Sequence, residues 1–406
     1  MYVRDDGTLV TGYTDVYDTL TVDGHLETDA LEIGDYSGSS NASVLVQGTA
    51  SLRSVTVGLR APDNPPFALD KFQVGSEAAV TVTDDVRLAS HADASARLEI
   101  GATGRPGGVD HFGRLDIGGD LYVGQNGEAT ALVGSTNDTD STLSVDGRAY
   151  VGFNGSGHLR LEADGVAFTQ GGLTVGHGSD GYGTVDITDT LLMGGAEVVV
   201  GAAGTGYVTS NLGDFYSVGQ MYVGRDQGSF GDVEINGGRV ITGLGGGGVD
   251  PDLEIGFEGT GVYTQSAGST EVAEQLILGN RSTGDGTLTV SGGTVTVGDY
   301  AVIGQNGTGE ATLSGSASVS VGRYLLVGDH GGSTGDLTVR GGADLSTGNG
   351  SLHIGHERSS RGDVVVSDSG STISVGHSLY VGHKGEGHAR IESGADVSVG
   401  DYAAVG

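Results

Sequence analysis

An aliphatic residue followed by glycine recurs along this chain at a nearly fixed interval, with a second apolar residue two places before the aliphatic one. The glycines stand at 34, 58, 101, 124, 152, 176, 201, 224, 256, 279, 304, 328, 355, 382 and 406. The commonest spacings are 23 to 25 residues, with a few of 27 or 28. A period in this range marks a solenoid, in which one unit cannot bury its own apolar face and has to be copied. The clearest units are "AVIGQNGTGEATLSGSASVSVGRY" (301–324) and "LYVGHKGEGHARIESGADVSVGDY" (379–402). Each holds three short alternating segments. In the first these are Ala301-Val302-Ile303, Ala311-Thr312-Leu313 and Val319-Ser320-Val321. Alternation with period two reads as strand, the Gly, Asn, Asp and Ser between segments read as turns, and no segment has helical periodicity. The expected fold is all-β: a single parallel β-helix, or β-solenoid, with three short strands per coil. At roughly 24 residues per coil the chain makes about 16 coils, right-handed by the preference of parallel crossovers.

The residue before each anchor glycine is aliphatic throughout, from Ile33 and Val57 to Val381 and Val405. It is expected to stack inward as a ladder, while the glycine turns the corner at positive φ or through its missing Cβ. Two places before each glycine, side chains are expected to point outward. Occupants of that column include Thr174, Glu254 and His353. Tyr122, Tyr150, Val199, Tyr222, Ile277, Val302, Leu326 and Tyr380 make it largely apolar or aromatic. An exposed apolar stripe marks an interaction surface, and Tyr is a common hot-spot residue, so these eight form a candidate binding stripe. The plainer reading is that strands favour such residues wherever they point, or that a loop covers them. Three interruptions, "LRAPDNPPFALDKFQ" (59–73), "GATGRPGGVDHFGR" (101–114) and "GLGGGGVDP" (243–251), are read as loops leaving a single domain of residues 1–406.

Glycine supplies 79 of 406 residues, without a Gly-X-Y period, so collagen is excluded. Abundant Val, Ile and Thr give the chain a core to bury. Cysteine is absent, which removes disulfides and thiol chemistry. The net charge of −33, with Lys71 and Lys384 as the only lysines, repels nucleic acid and anionic membranes. Asp outnumbers Glu 36 to 16, which suits solvated, Asp-capped turns. Cation binding or saline surroundings is the sharper reading, and calcium is the one cofactor left open. No apolar run reaches the ~18 residues of a membrane-spanning helix. The start, "MYVRDDGTLV", lacks the apolar stretch of a signal peptide. Gly406 falls on an anchor, leaving an open coil that needs a cap. A longer parent chain, or capping by a partner or a second copy, is therefore expected. Either the chain is a fragment, or it is expected not to leave the cell by the general secretory route.

Five histidines gather near the C-terminus: His353, His356, His377, His383 and His388. His356 and His383 each follow an anchor glycine and should stack in adjacent coils, where two imidazoles can share a metal. Polar ladders are ordinary in outer columns, and Asp329 and Gln305 share this one, so no metal ligand is assigned. "GGGGVDPDL" (245–253) approaches a calcium nonapeptide but occurs once, with Asp252 where an apolar residue belongs. "GFNGSG" (152–157) lacks the following helix of a phosphate loop. Asn154-Gly155-Ser156 and Asn306-Gly307-Thr308 read as turns. Asp-rich turns pair carboxylates by chance, nothing interrupts the repeat to build a cleft, and lysine is nearly absent, so no catalytic residue is assigned.

The pattern "VGxxGxGxLxVxxGG", as in "LILGNRSTGDGTLTVSGGTVTVGDYAVIG" (276–304), and "GGSTGDLTVRGGADL" (331–345) resemble the passenger repeats of bacterial autotransporter adhesins. The resemblance covers most of the chain and is best over 276–406. It implies a parallel β-helix displayed outside a Gram-negative cell, with roles in adhesion, aggregation or biofilm. Partners would be other copies of the chain, or a protein or glycan of a host or cell surface. The expected function is an extracellular structural or adhesive rod, not an enzyme. A phage tail fibre or self-assembling extracellular filament subunit is the first alternative, and a polysaccharide-active β-helix enzyme the second.

Overall fold

The computed structural model describes residues 1–406 except 5–6, 35–40, 60–68, 76, 103–112, 135–140, 163–164 and 245–250. The chain is all-β, a single parallel β-solenoid of about 14 turns with roughly 25 residues per turn. Most of the three interruptions singled out above lies outside the described residues. Contacts divide the chain into two units. The first is Met1–Ala196 with Gly204–Gly206, and the second is Glu197–Ala203 with Tyr207–Gly406.

A coil of the second unit shows how the repeat folds. A long strand, Asp285–Val290, is followed by a middle strand, Thr294–Val297, and a short strand, Ala301–Ile303. The next coil repeats them as Thr308–Leu313, Ser318–Val321 and Leu325–Val327. Equivalent strands pair in parallel and in register: Leu288 with Ala311, Val295 with Val319, Ile303 with Val327. Alternation then places each inward side chain over its counterpart one coil away. Ile303, Val327, Ile354 and Val381 are buried in such a ladder, each worth about 2 kcal/mol by the apolar surface it removes from water.

The corner glycine is required on both of the grounds expected of it. Gly304 has φ +74°, and a Cβ there would lie 2.1 Å from the carbonyl oxygen of Thr334. Across the corner the long strand carries its own glycine. A Cβ on Gly335 would lie 2.4 Å from the amide nitrogen of Gly328. Backbone packs on backbone at this edge, and no side chain fits between.

In the first unit the anchor column departs from the sequence reading. Gly101 is not a short-strand corner. It lies in the long strand Ser95–Ala102, which pairs with Leu69–Gly75 and Glu128–Val133. The corner belongs to Leu88-Ala89: Val86–Leu88 pairs with Val55–Val57 on one side and Leu121–Val123 on the other. Ala89 holds φ +52° in place of glycine, which hid this coil from a search for Gly. Three strands per coil is also not uniform. Middle and short strands fuse in His25–Ile33 and Thr49–Val57. In the second unit long and middle strands fuse in Phe230–Thr242 and Thr260–Val272, where bulges around Asn236 absorb the bend.

Candidate functional site

The column two places before each anchor glycine stacks in register. In the first unit Tyr122 pairs with Tyr150, and Tyr150 with Thr174. In the second the order Val199, Tyr222, Glu254, Ile277, Val302, Leu326, His353, Tyr380 is unbroken. It is not, however, an open stripe. Val199, Ile277 and Val302 are buried, at 0 %, 3 % and 0 % exposure, which corrects their reading as exposed binding residues. Tyr122, Tyr150, Tyr222, Leu326 and Tyr380 are half-buried. The reason is the length of the short strand. With only three residues between two corners, the corner side chains stand beside its middle one. Tyr324 and Tyr402 flank it from before, and Phe153, Phe257 and His356 from after. Within each unit the column is thus flanked on one side by the residue following each anchor glycine, and a lateral groove opens where the column's members are half-buried.

In the first unit the groove is aromatic. Tyr122 stacks on Tyr150 with centroids 5.0 Å apart and planes 12° apart. Phe153 stacks on His177 at 4.4 Å and 7°. The two stacks cross edge to face, Tyr150 meeting Phe153 at 5.1 Å and 89°. The Arg87 guanidinium lies over Tyr122 at 5.7 Å. Tyr122 donates to Asp120 at 3.1 Å. Burial, then that hydrogen bond, push its phenol up to about 12, so it remains a donor under all ordinary conditions.

In the second unit the same column holds a carboxyl, that of Glu254. Glu254 is 5 % exposed and accepts from Asn280 Nδ2 at 2.5 Å and from Gln220 Nε2. Burial first, and Asp252 second, raise its carboxyl to about 7. A carboxyl titrating near neutrality suits general acid or base chemistry. Here both oxygens are occupied by amides and almost no surface reaches solvent, so the group is a satisfied buried carboxyl. Asp252 serves the backbone, accepting from the amide of Gln275 at 2.9 Å. Asp85 and Asp120 do the same for the amides of Asp120 and Arg148, both at 2.8 Å. These three caps give part of the Asp excess an ordinary role.

Near the C-terminus the groove is lined by imidazoles. His353 stacks on Tyr380 at 4.6 Å and 17°, and His356 on His383 at 5.4 Å and 14°. His353 meets His356 edge to face at 5.0 Å. One nitrogen from each of His353, His356 and His383 falls within 4.8 Å of the others. Asp329 is 5 % exposed and binds Nδ1 of His356 at 2.7 Å and Nδ1 of His330 at 2.8 Å. A cleft of about 410 Å³ opens beside them, lined by Tyr324, Leu326, Asp329, His353 and His356 among others. The other two histidines noted in the sequence lie apart from this group. His377 faces Asp401 at 3.7 Å, and His388 faces Asp363 at 3.0 Å. Sequence spacing brought His356 and His383 together. It missed His353 as their third member, because the sharp corner at Gly355 turns two residues of opposite strand parity onto one wall.

No helix among the described residues is long and apolar enough to cross a membrane. Comparison with protein-family models, with curated proteins and with solved structures finds no match, so the groove is read from its own geometry.

Proposed function

We propose that this chain is a structural and adhesive element carried on the outside of a bacterial cell, of the autotransporter-passenger kind. Its role is to hold a groove of ring side chains at fixed spacing for another copy of itself. The observation that supports this reading is that each unit by itself carries half-buried tyrosines, Tyr122 and Tyr150 in the first and Tyr222 and Tyr380 in the second. Each ring is already fixed by its neighbours, so a partner covering it pays little further ordering entropy. The net charge of −33 keeps such surfaces from collapsing on one another except where rings match.

The test is sedimentation velocity over a range of concentrations and salt. The intact chain is expected to self-associate, more strongly as salt screens its charge. Replacing Tyr122, Tyr222 and Tyr380 together by Ser is expected to leave it monomeric with an unchanged far-UV spectrum. Association of equal strength in the triple variant counts against the groove as the contact. A monomeric parent chain at every salt concentration counts against self-association itself.

A further inference from the structure

We propose that His353, His356 and His383 form a binding site for a single transition-metal dication of the zinc class, with Asp329 fixing one ligand from behind. The inference is independent of self-association.

Three observations carry it. The first is the donor set. Three imidazole nitrogens within 4.8 Å of one another match the three-histidine arrangement that leaves a fourth position open to water. Tetrahedral bonds of about 2.0–2.1 Å place ligand nitrogens about 3.3 Å apart. The remaining closure is shared among three side chains, of which His383 is exposed.

The second is the support behind the ligands. Asp329 holds Nδ1 of His356 at 2.7 Å. A proton on that nitrogen leaves Nε2 with its lone pair, the carboxylate–histidine–metal relay that orients metal ligands elsewhere. Nδ1 of His353 is buried and has no hydrogen-bond partner among the described residues, a cost that an unused donor atom ordinarily does not carry. The Tyr380 ring, stacked at 4.6 Å, holds the His353 ring in place.

The third is access. The cleft of about 410 Å³ that borders His353 and His356 admits an ion with its water. An all-nitrogen set selects a borderline ion such as Zn²⁺ and rejects Ca²⁺ and Mg²⁺, which require oxygen ligands.

The experiment is calorimetric titration of the metal-stripped 406-residue chain with Zn²⁺, alongside the visible spectrum of the chain with Co²⁺. The expected result is one equivalent of Zn²⁺ bound, and an intense tetrahedral Co²⁺ spectrum. His353→Ala, His356→Ala and His383→Ala should each lower affinity at least tenfold, and Asp329→Asn by about 10- to 100-fold. His158→Ala, which removes an imidazole paired with Asp186 at 2.7 Å, should change nothing. Ca²⁺ should give no heat. Zinc affinity unaltered in the three histidine variants overturns the proposal. So does a Co²⁺ spectrum of the unmutated chain that stays octahedral, a result that needs no variant to fold.

Discussion

Tyr150, Phe153 and His177 hold in the first unit the same three coil positions that His353, His356 and His383 hold in the second. Ring geometry is nearly the same in both. The first pair of each set crosses edge to face at 5.1 and 5.0 Å. The last two rings of each set stack at 4.4 and 5.4 Å, within 7° and 14° of parallel. Chemistry differs: one set is a phenol, a phenyl ring and a single imidazole, the other offers three imidazoles. The place of Asp329 is taken in the first unit by Gln125, which also follows an anchor glycine. The coil therefore fixes where rings meet, and residue choice alone decides whether they meet as packing or as ligands.

The largest expected effect tests whether the two frames are the same. Gly152 and Gly355 have φ +71° and +66°, and a Cβ on either would lie 2.2 or 2.3 Å from a carbonyl oxygen of the next coil. Left-handed backbone strain plus overpacking puts Gly152→Ala and Gly355→Ala each at about 3 kcal/mol of destabilisation. Urea unfolding followed by circular dichroism should show losses equal to within about 1 kcal/mol. A large loss at one site alone would mean that the corners differ.

Glu254, Phe257 and Asn280 occupy the same three positions again in the second unit, with a carboxyl on the groove floor. A carboxyl raised to about 7 binds more protons folded than unfolded between its unfolded value and 7. Its contribution to stability is therefore greatest in acid and declines as pH rises through that window. The decline amounts to about 3 kcal/mol over the whole window. Comparing melting at pH 5 and pH 8, Glu254→Gln should lose this component of the slope and gain stability at pH 8 relative to the parent. An unchanged slope would show that the carboxyl is ionised in place.

A graft sharpens the comparison most directly. Tyr150→His combined with Phe153→His gives the first unit three imidazoles in the second unit's arrangement. This double variant, made in a chain already carrying His356→Ala, is expected to regain Zn²⁺ binding. Its affinity should rise at least tenfold further on adding Gln125→Asp, by the same second-layer support. Failure of the graft with the fold intact would show that ring position alone does not make the site.

Much of this frame was legible in the sequence. An aliphatic residue at every anchor, with glycine after it, announces an inward ladder and a corner, and Ile303, Val327 and Ile354 stand in that ladder. Period-two alternation likewise placed Tyr122 beside Tyr150 in adjacent coils. What the pattern hid has physical causes. Ala89 holds φ +52° where the other corners use glycine, so one coil lacked its marker and Gly101 took its place in the count. Val302 alternates as an outward residue should, yet it is 0 % exposed, because alternation gives direction and not what stands alongside. The three-histidine group joins residues on two sides of a corner, a relation that neither strand parity nor coil period expresses.

The parallel ladders also make each unit a ruler. Coil spacing is set by backbone hydrogen bonds at ~4.8 Å and cannot stretch to suit a ligand. A second copy laid along one unit, as proposed above, stays in step with it only if its own rings recur at the same pitch, and a partner of different repeat falls out of step within a few coils. Discrimination by length then costs no dedicated pocket: it is written into the pitch.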